Sequence, residues 1–360
     1  MFVLLGGAFS AHATEGLYLL GTDALQLGRA DGGTASPRSA FWMIMNPAAI
    51  SDLDKRLDLS FYAVRDHVVL NPAGVYGYQL EGSLPGDGFG CTPGGGMVLP
   101  LKDGKGTLGL GIFPISGGTI DYAASRSVLG KLYGNKDRRM GLQHGQLAVS
   151  YAYEFENGWA VGAGVQASLT RFHTDQITTK LRPTKGDNEW DDALGIGFNL
   201  GVYKRWDTFS VGASFKSRQW SQPFDKYNDL IVHGAMDYPH TFRAGIAWQP
   251  FEPLTLNLDY AFQYWKGIPM FNGAMLDSGL EWDNLHGIKA GVEYKVTDWV
   301  TLMSGYSFGT SVVGGDHVFL NALSPSFIKH HASFGLSYAV TPQSVVHAVY
   351  LRSFKNTMTD

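Results

Sequence analysis

The stretch WAVGAGVQASLT, residues Trp159–Thr170, alternates without a break. Trp159, Val161, Ala163, Val165, Ala167 and Leu169 fall on one face, and Gly162, Gly164, Gln166, Ser168 and Thr170 on the other. A period of two belongs to a β-strand with one apolar side. The pattern recurs: Leu254, Leu256, Leu258, Tyr260, Phe262 and Tyr264 oppose Thr255, Asn257, Asp259 and Gln263. Ile288, Ala290, Val292, Tyr294 and Val296 likewise oppose Lys289, Gly291, Glu293 and Lys295. Thirteen such segments are expected, at roughly 56–70, 92–101, 107–116, 141–155, 159–174, 193–206, 209–218, 239–250, 254–265, 287–296, 299–309, 328–340 and 344–354. Most have the ~9–11 residues with which a tilted strand crosses a bilayer.

The connections alternate in length. Asp103–Gly106, Glu156–Gly158, Trp206–Thr208, Phe251–Pro253, Thr297-Asp298 and Thr341–Gln343 are tight turns, whereas 117–140, 175–192, 219–238, 266–286 and 310–327 are long. Short turns at one end and long loops at the other are the layout of an outer-membrane barrel. Aromatics gather at the strand ends beside the short turns, as with Tyr151, Tyr153, Phe155 and Trp159, or Tyr203, Trp206 and Phe209. An amphipathic ring sits well at a membrane interface. The expected fold is all-β, a transmembrane antiparallel β-barrel of the 14-strand type. A soluble sandwich or propeller is the alternative, and it leaves the loop asymmetry unexplained.

Composition agrees. The 360 residues include 46 glycines, and charged residues make up only 17 %, against ~25 % in an average soluble domain. A net charge of −4 gives no basic field for nucleic acid. The single cysteine, Cys91, excludes an intrachain disulfide.

Both ends carry expectations. Phe2–Ser10 is apolar and Ala11-His12-Ala13 is an A-x-A-type cleavage site. Residues 1–13 therefore read as a signal peptide that lacks its basic start, with Thr14 as the mature N-terminus; a buried N-terminal strand is the alternative. An up-and-down barrel needs an even strand count, so thirteen implies either a fourteenth strand cut off after Lys355–Asp360 or one misread segment.

Residues 14–52 do not alternate, and 53–360 form the expected barrel. A barrel of about fourteen strands leaves a lumen that leaks unless filled, so 14–52 read as an N-terminal hatch or plug. Within it, FWMIMNPAAISDL (Phe41–Leu53) runs five large apolar residues into Asn46-Pro47, where proline interrupts both helix and strand.

Tyr18–Leu53, with LGRADGG (Leu27–Gly33) and Asn46-Pro47-Ala48, resembles the hatch of the FadL/TodX outer-membrane transporters of hydrophobic compounds. The resemblance continues through Asn157-Gly-Trp159, Asp237-Tyr-Pro239 and Thr297-Asp-Trp299. It implies passive uptake of long-chain fatty acids or hydrocarbons across the bacterial outer membrane. The ligand is captured at external loops, bound in the lumen, and released sideways at a kinked third strand that lies against Asn46-Pro47-Ala48.

The third segment, TLGLGIFPISGG, carries matching features: Pro114 removes a ladder donor, and Ser116, Gly117 and Gly118 follow it. A break in the wall needs a cover, and the Asn46 amide, donor and acceptor both, fits that need. Alternatively Pro114 ends the strand at the external rim. In the loop after it, Tyr122, Val128, Leu129, Leu132 and Tyr133 fall on one face if the stretch is helical, and read either as a capture surface or as packing against a neighbouring loop. For a ligand carboxylate Arg171 is the first choice, ahead of Arg182 and Arg243.

No other chemistry is signalled. Gly162-x-Gly164-x-x-Ala167 sits within a strand and has no following helix, which a dinucleotide site requires. His330 and His331 point to opposite faces and cannot share a metal. The expectation is a monomeric transporter, not an enzyme, with no cofactor or metal, whose partners are the hydrophobic ligand, outer-membrane lipid and lipopolysaccharide. A general or structural porin is the second reading and a barrel hydrolase the third.

Overall fold

The computed structural model describes residues 14–70, 84–102, 104–122, 138–175, 186, 188–273, 280–314, 321 and 326–358. Thirteen long strands form one antiparallel sheet in chain order. They are β1 (Arg56–Leu70), β2 (Leu84–Pro100), β3 (Gly106–Tyr122), β4 (Arg138–Glu154), β5 (Trp159–Thr174) and β6 (Asp191–Arg205). Then come β7 (Phe209–Lys216), β8 (Thr241–Phe251), β9 (Leu254–Gln263) and β10 (Leu285–Lys295). The last are β11 (Val300–Gly309), β12 (His330–Thr341) and β13 (Ser344–Ser353). A two-residue strand, Trp220–Ser221, adds to β6. β1 and β13 end the path, and no pair joins them among the described residues.

The burial pattern decides the environment. On β5 the apolar residues are the exposed ones, Val165 at 55 %, while Gln166 is fully buried. The same inversion holds for Leu194, Ile196 and Leu200 on β6 and for Ile288 and Val292 on β10. In a soluble sandwich the apolar face would be the covered one. Here it faces out as a continuous band, the surface that lipid solvates. Aromatics Trp159, Trp206, Trp248 and Trp299 stand outward at the short-turn end. The turns are tight: in the β4–β5 turn Phe155 N–H donates to the Trp159 carbonyl at 2.8 Å, and Gly158 supplies φ +76°.

Two boundaries differ from the sequence reading by more than three residues. β2 starts at Leu84 rather than 92, since its glycine- and proline-rich half shows no alternation yet pairs with β1 without interruption from Leu70↔Leu84 to Arg56↔Val98. β3 passes through Pro114 and runs on to Tyr122, so the proline does not end the strand.

Residues 14–53 fill the space inside the wall. Short helices α1 (Ala24–Leu27) and α2 (Trp42–Met45) and a 3₁₀ turn over Pro47–Asp52 hold a buried cluster with Leu20, Phe41, Trp42, Met43 and Ile50. Contact with the wall is close because glycines line it. A Cβ on Gly162 would stand 2.4 Å from Ala48 N, and one on Gly305 2.3 Å from the Arg29 carbonyl carbon. Wall side chains also bond the segment's backbone: Asn199 Nδ2 donates to the Met43 carbonyl at 2.8 Å and Ser214 Oγ to the Met45 carbonyl at 2.6 Å. Asp259 accepts from Gly33 N and Thr34 N, both at 2.7 Å.

Gly162→Val is expected to lower stability by about 1–3 kcal/mol through overpacking against backbone and to raise conductance by unseating the segment. Urea unfolding in micelles and planar-bilayer conductance measure the two effects. Gly118→Ala, whose Cβ meets nothing within 4 Å, should leave both unchanged.

Candidate functional site

α2 is a single apolar turn, Trp42–Met45, that continues from Phe41 without a side-chain cap and stops at Asn46-Pro47. Asn46 ends it in extended conformation, and its Oδ1 caps the following 3₁₀ turn by accepting from Ala48 N at 3.2 Å. Its Nδ2 donates to the carbonyls of Thr34 (3.2 Å) and Val202 (3.1 Å). The notch that receives Asn46 is made by Gly201 and Gly212, since a Cβ on Gly201 would lie 2.1 Å from Oδ1. Pro47 and Ala48 sit against Gly162. Asn46-Pro47-Ala48 thus faces β5–β7, and the expectation that Asn46 covers the third strand is corrected: its amide is taken up by the Thr34 carbonyl and by the Val202 carbonyl of β6.

The third strand is irregular where Pro114 predicts it. The β3–β4 register shifts between Pro114↔Gly145 and Ser116↔His144, which leaves Ile115 as the extra, bulged residue. Phe113, Pro114, Ile115 and Ser116 are all buried, so alternation is lost there. The greater departure is on the other side. β2 and β3 pair from Pro100↔Thr107 to Gly95↔Ile112, then not again until Asp87↔Asp121. At ~3.3 Å per residue the unpaired stretch is roughly 25 Å long. It is a slit, not a hole. Gly90 lies against Gly117 and Gly118, where a Cβ would meet the Gly117 carbonyl oxygen at 3.2 Å, and Thr119 Oγ1 donates to the Phe89 carbonyl at 3.0 Å.

Phe41 backs the slit. Its ring meets Phe113 edge-on at 4.9 Å, and a Cβ on Gly94 would lie 3.1 Å from Phe41 Cε1 and 2.7 Å from Pro114 Cδ. Glycine at 94 is what lets the proline ring and the Phe41 ring share that space.

Behind the bulge lies a cavity of about 540 Å³ of atom-free space, including its open mouth. Tyr18, Ile44 and Met45 of the N-terminal segment line it, with Ile115, Lys216 and Arg243 of the wall. Its charges are unequally satisfied. Arg243 and Lys289 both bind Asp31, and Lys289 also binds Glu15 at 2.8 Å. Burial would raise the Asp31 carboxyl, but Arg243 and Lys289 outweigh it and hold it below the usual range. Asp23, which caps α1 outside the cavity lining, has no ion pair among the described residues; burial pushes it up to about 6 against the pull of its Ser39 hydrogen bond. Lys216 donates to neutral Gln146 Oε1 at 2.9 Å and stands 5.8 Å from the Tyr18 ring centre. Among the described residues no carboxylate pairs with it.

The other expected residues fall elsewhere. Arg171 lies on the outward face, pairs with Asp192 at 2.8 Å and stacks on Trp190 at 5.3 Å. It does not reach the lumen, because it has the parity of Leu169. Arg243 does reach it. The Tyr122 backbone closes β3 opposite Gly86 and Arg138, but its side chain, like all of Val128, Leu129, Leu132, Tyr133 and Arg182, lies outside the described residues. Lys216 was missed, though Ser210, Gly212, Ser214 and Lys216 share the inward parity of β7.

An apolar outer face, a polar inner face and a filled lumen define an outer-membrane β-barrel. Residues 7–359 match the family of outer membrane protein transport proteins (OMPP1/FadL/TodX), and the chain belongs to that family, in the bacterial outer membrane. Its fold is that of the toluene transporter TodX of P. putida, with TM-score 0.68 and 18 % identity over 92 % of this chain and 91 % of that one. A Pseudomonas aeruginosa FadL homologue gives 0.66 and 17 % over 94 % and 91 %. The Ralstonia pickettii toluene transporter TbuX gives 0.64 and 16 % over 93 % and 99 %. No curated protein sequence matches the chain.

Lys289→Met leaves Glu15 buried without its cation and should cost about 3–5 kcal/mol in urea unfolding. Adding Glu15→Gln should recover most of the loss, since the missing charge partner rather than the missing side chain is the cause.

Proposed function

We propose that this protein passively takes up hydrophobic molecules that carry an anionic head, a fatty acid being the simplest, and releases them sideways through the β2–β3 slit. One observation carries the exit route: Ile115, the bulged residue of β3, also lines the lumen cavity. A ligand in the cavity is therefore one side chain from the interrupted wall. The hatch, residues 14–52, blocks the straight path, which argues against a general porin. Phe41, rather than Asn46, stands behind the slit. An outer cluster of Trp265, Trp282, Phe271 and Tyr238 covers the cavity from the loop side, and the ligand enters past it from the lipopolysaccharide face. The protein works as a monomer, because slit and cavity are built from one chain.

The substrate class rests on Lys216. A buried-side cation held by an amide alone, among apolar walls, fits a carboxylate better than a bare hydrocarbon, since a charge-assisted bond is roughly twice as strong as a neutral one. Lys216→Met should weaken dodecanoate binding about tenfold, equivalent to ~1.4 kcal/mol, while changing dodecane binding less than twofold. Equal losses for both ligands would remove the head-group role.

For the exit, cysteines at Gly90 and Gly118 in a Cys91→Ser background can bridge the slit, whose backbones are already in contact. Oxidation should stop uptake into proteoliposomes by at least tenfold without changing binding, and reduction should restore it. Full uptake with the bridge closed would exclude lateral release.

A further inference from the structure

Lys216 is the first link of a hydrogen-bonded chain that passes the wall irregularity and ends at Thr170 on β5. Its ammonium can only donate, so the Gln146 atom it meets at 2.9 Å is Oε1, and the Gln146 Nε2 faces His144 Nε2 at 3.2 Å. An amide nitrogen also only donates. His144 Nε2 therefore accepts, the proton of the neutral ring sits on Nδ1, and Nδ1–H donates to Thr170 Oγ1 at 2.7 Å. Every donor points the same way, from the lumen cation into the wall.

The two middle links occupy special places. Gln146 is in register with Phe113 and His144 with Ser116, so they bracket the bulge on the strand that faces it. The His144 ring stacks on Tyr238 at 4.0 Å, and Tyr238 meets Tyr18 of the N-terminal segment at 5.4 Å. Four parts of the molecule thus converge on one histidine: lumen cation, bulged wall, outer cluster and hatch.

We propose that Gln146 and His144 form a coupling element through which an anion at Lys216 loosens the β3 bulge and lets the slit open. This rests on the lateral-exit reading above. An anionic head draws the ammonium off Gln146. The amide oxygen, buried and robbed of its donor, re-pairs by turning, which withdraws Nε2 from His144. The His144 Nε2 left behind is a buried acceptor that cannot stay unpaired, and the nearest backbone free to adjust is the irregular stretch Phe113–Ser116. A neutral ligand of the same length enters the cavity but does not pull the chain. Gln146 and His144 are positioning residues here; neither touches the ligand.

Cys91, the only cysteine, is exposed on β2 within the unpaired stretch, so an environment-sensitive fluorophore there reports the slit directly. In full-length protein in lipid nanodiscs, dodecanoate should change the Cys91 signal at least fivefold more than dodecanol at equal occupancy. His144→Phe keeps a ring on Tyr238 but breaks both hydrogen bonds. It should bind dodecanoate within twofold of wild type while losing at least four-fifths of the signal and of the uptake rate. Gln146→Met, a second break in the chain, should behave alike. If both variants bind, signal and transport as wild type, the coupling is overturned while lateral release stands. If dodecanol and dodecanoate give equal signals in wild type, the coupling is overturned as well. Loss of transport in the bridged Gly90/Gly118 protein, tested separately, shows whether the exit itself is correct.

Discussion

A backbone in hydrocarbon has no water to bond, so every peptide group of a membrane-crossing wall must find a partner inside the protein. That constraint organises this molecule. β1–β2 and β3–β4 satisfy it with long ladders, and β2–β3 does not. The lapse is tolerated because glycines let the strands touch at Gly90, Gly117 and Gly118 and because Phe41 closes the inner side. The wall between β2 and β3 is weak, and the N-terminal segment is folded so that its aromatic ring, not its polar elbow, backs that place.

The segment itself is held by two kinds of force. Glycines on the inner face admit it to van der Waals contact, and buried wall groups such as Asn199, Ser214 and Asp259 bond its backbone. Most of these bonds go to main-chain atoms, so they fix the path of residues 14–53 more than their identity. Low identity to TodX at similar fold is consistent with such a design.

Alternation made β5, β9 and β10 legible, because side chains carry the signal there. It failed on Leu84–Cys91 of β2, where glycine alternates with Asp87, Phe89 and Cys91 so that no apolar face results, and only the ladder with β1 reveals a strand. The bulge was legible, since proline lacks a donor whatever surrounds it. Its consequence for β2 was not, because strand pairing is a property of two segments. The direction of Asn46 was illegible for a similar reason: nothing local says that Gly162, Gly201 and Gly212 will form one notch. Arg171 and Lys216 are different. Their parity was in the sequence all along, outward for the first and inward for the second, and charge type alone misdirects unless parity is read first.

The first six strands are longer than most of the later ones, and the slit sits high on them. A strand rising ~3.3 Å per residue and tilted by about 40° gains roughly 2.5 Å of height per residue. From Pro100 at the short-turn end, Gly94 stands roughly 15 Å and Gly88 roughly 30 Å up, against an apolar band about 25 Å tall. The opening therefore meets the upper half of the bilayer. If release is lateral as proposed, a molecule leaving there lands among outer-leaflet acyl chains, and an acidic head must still cross to the inner leaflet before anything beneath the membrane can collect it. For a carboxylate that crossing requires a proton, so on this proposal the neutral acid is the species that crosses.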